Sequence, residues 1–160
     1  YNIFKNEYPD LGGDYEVTHY IGLLEQYLRQ GKIKLNKSLP ADLAITYHDP
    51  CYLGRANNMY AEPRYVLGAL SGNVVEMKRN RSFSLCCGAG GAQMCKEAEK
   101  GNKEIFIERT EDALETGAGI IATACPFCMP MLTDGLKYKN REEDIRNFDI
   151  AELIAMDLDL

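Results

Sequence analysis

Leu43-Ala44-Ile45-Thr46-Tyr47-His48-Asp49-Pro50-Cys51 is the stretch that decides the fold. Its first five residues are apolar or β-favouring, with no polar alternation, as in a strand buried on both faces. His48-Asp49-Pro50 turns the chain out of that strand and sets Cys51 a few residues beyond its carboxyl end. Downstream, 63–70 reads as a helix with Pro63 early and Gly72 past its end, and 73–77 as the next strand. The short segment 82–85 is readable as extended. Gly88-Ala89-Gly90-Gly91 is a flexible loop leading to a short helix near 92–100. Asn102 is placed to cap a helix running to Thr116, with Gly117 as its stop. Ile120 to Thr123 is a third strand, and a helix is expected to start at Cys125-Pro126. The segment 147–150 is extended and enters a helix over 151–156, where Asp149 and Glu152 form a capping-box pair. Strand alternating with helix predicts an α/β fold: three layers, Rossmann-like, with a mostly parallel sheet flanked by helices.

Upstream of the deciding stretch, Tyr1 to Tyr8 reads as helical, ended by Pro9 and Gly12-Gly13. Val17 to Gln30 carries apolar residues at helical spacing and stops at Gly31. Lys32 to Asp42 is a mostly polar linker containing Leu39-Pro40. The expected division is therefore residues 1–41 as a preceding unit with its linker, and 42–160 as the main domain.

Composition narrows the function classes. The chain of 160 residues carries 24 Asp and Glu against 18 Lys and Arg, for a net charge of −6. That balance argues against a general nucleic-acid or anionic-membrane binder. There is no run of about 18 apolar residues of the kind that spans a bilayer, and no Gly-x-Gly-x-x-Gly nucleotide fingerprint.

The cysteines carry the chemistry. Cys51 stands alone, Cys86 and Cys87 are adjacent, Cys125 and Cys128 flank Pro126-Phe127, and Cys95 belongs to no pair. Six in 160 residues is sparse for a disulfide scaffold, and adjacent cysteines seldom act as independent staples. Cys51, Cys86, Cys87, Cys125 and Cys128 each follow a predicted strand or extended segment. Ligands of open α/β sheets gather outside the carboxyl ends of the strands, so these five can converge. The spacing Cys-x-x-Cys suits one metal centre, and equally a thioredoxin-type redox pair. Adjacent cysteines chelate a small tetrahedral ion poorly but reach two irons of a larger cluster. Gly88, Gly90 and Gly91 leave room for inorganic sulfide, and their N–H groups can hydrogen-bond sulfur. A glycine-rich turn with two buried thiols is the plainer reading of the same residues. Cys95 reads as a buried thiol.

Cys51, then 34 residues, Cys86-Cys87-Gly88, then 36 residues, and Cys125-Pro126-Phe127-Cys128 together resemble the cysteine-rich "CCG" domain found in heterodisulfide reductases and in related iron–sulfur oxidoreductases. His48 to Arg55 and Cys86 to Gly91 both fit that pattern, and the likeness covers about 42–158. The second spacing is a residue or two longer than the commonest form, which lengthens a loop without removing a ligand. The resemblance implies an electron-transfer module holding a four-iron cluster, [4Fe-4S] or non-cubane, on Cys51, Cys86, Cys87, Cys125 and Cys128. Such domains usually come in tandem, and Tyr1 to Leu11 resembles the segment after the Cys-x-x-Cys of a first domain. Residues 1–41 are thus expected to be the tail of a preceding cysteine-rich domain plus linker. The implied partners are that domain and other redox subunits: a flavoprotein, a ferredoxin-like protein or a membrane quinone subunit. The implied location is cytoplasmic, with attachment to the inner face of the membrane through a complex. Two readings stay open beside it: a structural zinc domain on four of the cysteines, and disulfide reduction, either by Cys125 and Cys128 or at a non-cubane cluster.

His48 is expected to hold the Cys51 turn by a hydrogen bond, with tuning of, or proton delivery to, the thiolates as the sharper alternative. His19 is expected to be structural. Lys78, Arg79 and Arg81 read as a solvated surface run.

Overall fold

In the computed structural model, which describes residues 1–98 and 100–160, four strands form one sheet. They are β1 (Ile45–Tyr47), β2 (Val74–Val75), β3 (Ile120–Thr123) and β4 (Arg146–Asp149). Their order is β2-β1-β3-β4, and every pairing is parallel. Five α-helices accompany them: α1 (Tyr20–Arg29), α2 (Ala61–Leu70), α3 (Ile105–Leu114), α4 (Cys128–Tyr138) and α5 (Ile150–Asp157). This is the expected α/β three-layer, Rossmann-like arrangement.

The two-residue period of β3 sorts the layers. Ile120 and Ala122 face a core built with Ile45 and Tyr47 of β1, Ile21 of α1, Val66, Leu67 and Leu70 of α2, and Leu153 and Ile154 of α5. Ile121 faces the opposite core, with Ala113 of α3, Leu132 and Leu136 of α4, Met77 and Ile145. Helices α3 and α4 approach closely at Gly135, where an added Cβ would meet the Thr110 side chain. The upstream helix α1 packs along α2, and Ile21 is fully buried. His19 caps α1, its Nδ1 accepting from the Ile21 N–H at 3.3 Å.

Several local expectations are corrected. The opening segment is helical as expected, as a π-helical turn (Ile3–Glu7), but Pro9 does not end it: a 3₁₀ turn (Tyr8–Leu11) runs through Pro9 and is closed by left-handed Gly12. The segment over 82–85 is not extended; Arg81–Phe83 is a 3₁₀ turn with Arg81 at φ 51°. The helix expected near 92–100 is a 3₁₀ segment, Gly90–Cys95, broken by Gly91 and Ala92 at φ 64° and 60°. Glu99 of that expected helix lies outside the described residues. Helix α3 begins at Ile105 behind Glu104, so Asn102 does not cap it. Helix α4 begins at Cys128, three residues later than Cys125, so Pro126 lies in the preceding turn. The capping box on α5 is present, with Asp149 accepting from Ala151 N–H at 2.9 Å and Glu152 from Asp149 N–H at 2.7 Å.

Candidate metal centre

The strand order creates one place where connections depart in opposite directions, between the carboxyl ends of β1 and β3. Open α/β sheets offer their ligand crevice at such a point. His48 leaves β1 there, its backbone N–H donating to Ala122 O of β3 at 2.9 Å. Cys125 follows the last residue of β3 by two positions, and Cys128 opens α4. The loop after Arg81–Phe83 brings in Cys86 and Cys87. Cys87, Ala89 and Cys128 form a buried cluster, with the half-buried Cys86, Cys125 and Met131 packed on it. Four of the five expected ligands are thus together. The fifth, Cys51, is solvent-exposed on the turn after β1 and is not part of the buried cluster. All six cysteines are free thiols. Cys95 is exposed, against the expectation of a buried thiol, because the left-handed Gly91 and Ala92 replace the helix meant to bury it.

The thiols are electrostatically unequal. The neighbouring Cys128 thiol is the largest influence lowering Cys125, to about 6, and holding Cys87 well below an ordinary thiol. Cys128 itself is pushed far up, since as a thiolate it would face Cys125 and Cys87 from a buried position. Burial raises Cys86, although Gly88 N–H donates to its Sγ at 3.3 Å. Gly88 is itself at φ 91°, a left-handed backbone that favours glycine, and a Cβ there would only touch Ile105 and the Phe106 backbone at 3.5 Å. Gly90 and Gly91 face open space.

The Cys51 turn is held by Asp49, not by the His48 side chain. Asp49 accepts two hydrogen bonds from Arg64 and one from the Arg81 N–H, at 2.7 Å, while its carbonyl accepts from Ser84 Oγ. Arg55 adds a bond to the Ser84 carbonyl at 2.8 Å. This lattice ties the loops carrying Cys51 and Cys86 to each other. Arg79 is not simply solvated either: it pairs with buried Asp112 at 2.6 Å and with Glu108 at 2.7 Å, whereas Lys78 and Arg81 are more than half-exposed or at half exposure.

His48 points its ring at the cluster. A ring nitrogen, Cys87 Sγ and Cys128 Sγ lie within 4.8 Å of one another. Its Nδ1 accepts from Arg109 Nε at 2.8 Å, deep in the interior. Arg64 and Arg109 are the functional-site residues that sequence reading missed. Both sit on helices whose other residues look ordinarily amphipathic, and no pattern marks an arginine turned inward. Around the thiols, Tyr52, Phe83 and Phe127 stand exposed on the three cysteine-bearing loops.

Similarity to known proteins agrees with this geometry. The sequence model of the CCG family, described as "Cysteine-rich domain", matches residues 45–133. The "Probable iron-sulfur-binding oxidoreductase FadF" of Bacillus subtilis is 45% identical over 156 residues, covering 97% of this chain and 22% of the relative. The "EtfAB:quinone oxidoreductase" of Syntrophomonas wolfei is 42% identical over 160 residues, covering 96% and 22%. A subunit of the dihydromethanophenazine:CoB--CoM heterodisulfide reductase of Methanosarcina acetivorans is 39% identical over 164 residues, covering 98% and 38%. The chain therefore spans between about a fifth and two fifths of the length of these curated relatives. Among the described residues, no helix is long and apolar enough to cross a membrane.

Proposed function

This chain belongs to the CCG cysteine-rich domain family, and from that premise we propose that it is an iron–sulfur electron-transfer module of a larger, multi-subunit oxidoreductase. The observation that carries the reading is the convergence of Cys86, Cys87, Cys125 and Cys128 at the β1–β3 crevice, with Cys51 on its rim. The relatives, an iron–sulfur-binding oxidoreductase and a quinone oxidoreductase among them, support the same class.

The residues present fit an iron–sulfur cluster. They offer soft thiol donors, two of them already biased toward thiolate, and a half-buried setting. In this proposal Cys51, Cys86, Cys87, Cys125 and Cys128 hold a four-iron cluster, and five ligands in place of four favour a non-cubane form over a simple [4Fe-4S] cube. A bound cluster supplies one-electron redox chemistry. The chain's own residues then do the positioning. Asp49 and Arg64 fix the turn bearing Cys51, and the left-handed Gly88 turns Cys86 and Cys87 inward with its N–H on Cys86 Sγ.

Electrons enter and leave through neighbours, because the sequence carries no nucleotide fingerprint. The proposed neighbours are an upstream cysteine-rich domain, whose tail and linker form residues 1–41 and lie against the 42–160 domain, and flavoprotein, ferredoxin-like or membrane quinone subunits. The proposed location is cytoplasmic, at the inner face of the membrane through that complex.

A second reading is disulfide cleavage beside the cluster. An open cavity of about 290 Å³ is lined in part by Gly88 and by Met131, which packs on the thiol cluster, although no cysteine is among its lining residues. Steady-state turnover of the full-length complex with candidate quinones and disulfides separates the two. Relay predicts turnover that needs the partner subunits. Robust disulfide reduction by this chain with only a chemical reductant would overturn it.

A further inference from the structure

Arg109 and His48 are both essentially inaccessible to solvent, at 0% and 1% exposure. A buried guanidinium is expensive unless its hydrogen bonds are made. Arg109 spends its Nε on His48 Nδ1 at 2.8 Å, and its Nη1 on the Arg79 carbonyl at 2.7 Å and on Asp112 at 3.2 Å. Asp112 is gripped in turn by Arg79, Nε to Oδ2 at 2.6 Å and Nη2 to Oδ1 at 2.9 Å. Three acceptors on Nε and Nη1 thus fix the guanidinium plane, with Nη2 buried and unpaired among the described residues, and the Nε contact sets the orientation of the imidazole.

The chemistry of the pair decides where the imidazole proton sits. A guanidinium is protonated throughout the working pH range and can only donate. The nitrogen that accepts from it must present a lone pair, so His48 Nδ1 carries no hydrogen. A neutral imidazole then has its proton on Nε2. Doubly protonated imidazole has no lone pair to offer, so the contact also excludes imidazolium. Nε2 is buried and finds no protein partner at hydrogen-bond geometry, yet the Cys87 and Cys128 sulfurs are the polar atoms grouped with the ring.

We propose that Arg109 is a positioning residue that locks His48 in its Nε2–H tautomer, so that His48 serves the thiol site as an N–H donor to sulfur and not as a metal ligand. The proposal separates two chemistries that the bare geometry confuses. One histidine and two cysteines within 4.8 Å look like three corners of a tetrahedral zinc site. A zinc-binding imidazole needs its free lone pair toward the metal, and its other nitrogen commonly donates to a carboxylate or carbonyl. Here the outer nitrogen meets a donor, which inverts that pattern. An N–H aimed at ligand sulfur is instead one of the means by which a protein tunes a cluster's potential. The tuning role rests on the iron–sulfur reading above; the tautomer does not.

The test is the tautomer itself. The chain has two histidines, so in a His19→Gln background an imidazole-¹⁵N-labelled sample reports His48 alone. Two-bond ¹H–¹⁵N correlation spectra are recorded on the 160-residue chain with thiols reduced and metal removed by chelation. The expected result is a single Nε2–H pattern. Arg109→Met should erase that pattern, giving the Nδ1–H form or an exchanging mixture. A native Nδ1–H or doubly protonated pattern would overturn the proposal, as would an unchanged pattern in a folded Arg109→Met variant. If that variant does not fold, the native spectrum alone decides. Because the sample holds no iron, failure here is distinct from failure to bind a cluster.

Discussion

Arg64 grips Asp49 through two parallel hydrogen bonds, Nη1 to Oδ1 at 2.8 Å and Nη2 to Oδ2 at 2.9 Å, with Asp49 almost fully buried. The pair lies under the turn that carries Cys51. Asp49 also receives the Arg81 N–H, so one carboxylate holds two loops of the thiol site. Arg64 has a second acceptor in Glu76, reached by Nε at 2.6 Å. Removing the arginine therefore leaves Asp49 as a buried charge with backbone support only, while removing the aspartate leaves Arg64 still paired. Arg64→Met is expected to cost about 3 kcal/mol, in the range for breaking a buried ion pair from one side. Asp49→Ala should cost less. Urea denaturation of the two variants checks the order, and equal or reversed losses would contradict it.

Gly88 and Gly90 look alike in sequence but stand differently. Gly88 needs φ 91° and has Ile105, Phe106 and Met131 around the place a Cβ would occupy; Gly90 has nothing within 4 Å. Gly88→Ala should destabilise by about 1–2 kcal/mol from left-handed backbone strain, with added displacement of Cys86 and Cys87. Gly90→Ala should fall within about 0.5 kcal/mol of the parent. Thermal unfolding of both variants measures the difference.

Much of this was legible beforehand, for physical reasons. Ile120 to Thr123 is a continuous apolar run between a glycine stop and a turn, and it is β3 residue for residue. Asp149 and Glu152 announced α5 because a capping box depends on local spacing alone. The place of Cys125 and Cys128 followed from their position after β3, whereas Cys86 and Cys87 arrive on a loop behind a 3₁₀ turn and not behind a strand. What escaped reading depended on tertiary context. Ala92 stands at φ 60°, a conformation that alanine does not announce. The turn through Pro126 and Phe127 delays α4 to Cys128, although proline at that point suits a helix start equally well. Half-buried Arg64 and fully buried Arg109 were invisible because an inward-turned arginine and a surface arginine occupy the same helical periodicity.

Asp157 closes the other end of α5. It is fully buried and accepts from Asn36 N–H and Ser38 N–H, both at 2.7 Å, and from Ser38 Oγ at 3.0 Å. Burial alone would raise its pKa, but these donors outweigh it and the carboxyl titrates below its ordinary value of 3.8. A carboxyl depressed in the folded state stabilises it above the unfolded pKa, and that contribution is lost as pH falls through the folded value. Asp157→Asn should therefore lower stability at pH 7 by on the order of 2 kcal/mol, since hydrogen bonds to a charged acceptor are being lost. The gap between variant and parent should narrow below about pH 4, where the parent's carboxyl also protonates. Denaturant midpoints at pH 7 and pH 3 give the comparison, and a gap that widens in acid would refute the assignment.

If the thiols at the β1–β3 crevice hold an iron–sulfur cluster, iron and acid-labile sulfide analysis with EPR on anaerobically prepared protein detects it. Iron and sulfide are expected in comparable amounts in the parent and in Cys95→Ser, whose thiol lies outside the site. Both should be lost, or the EPR signal reshaped, in Cys87→Ser. Zinc in place of iron, or iron and spectra unchanged in Cys87→Ser, would contradict the cluster assignment.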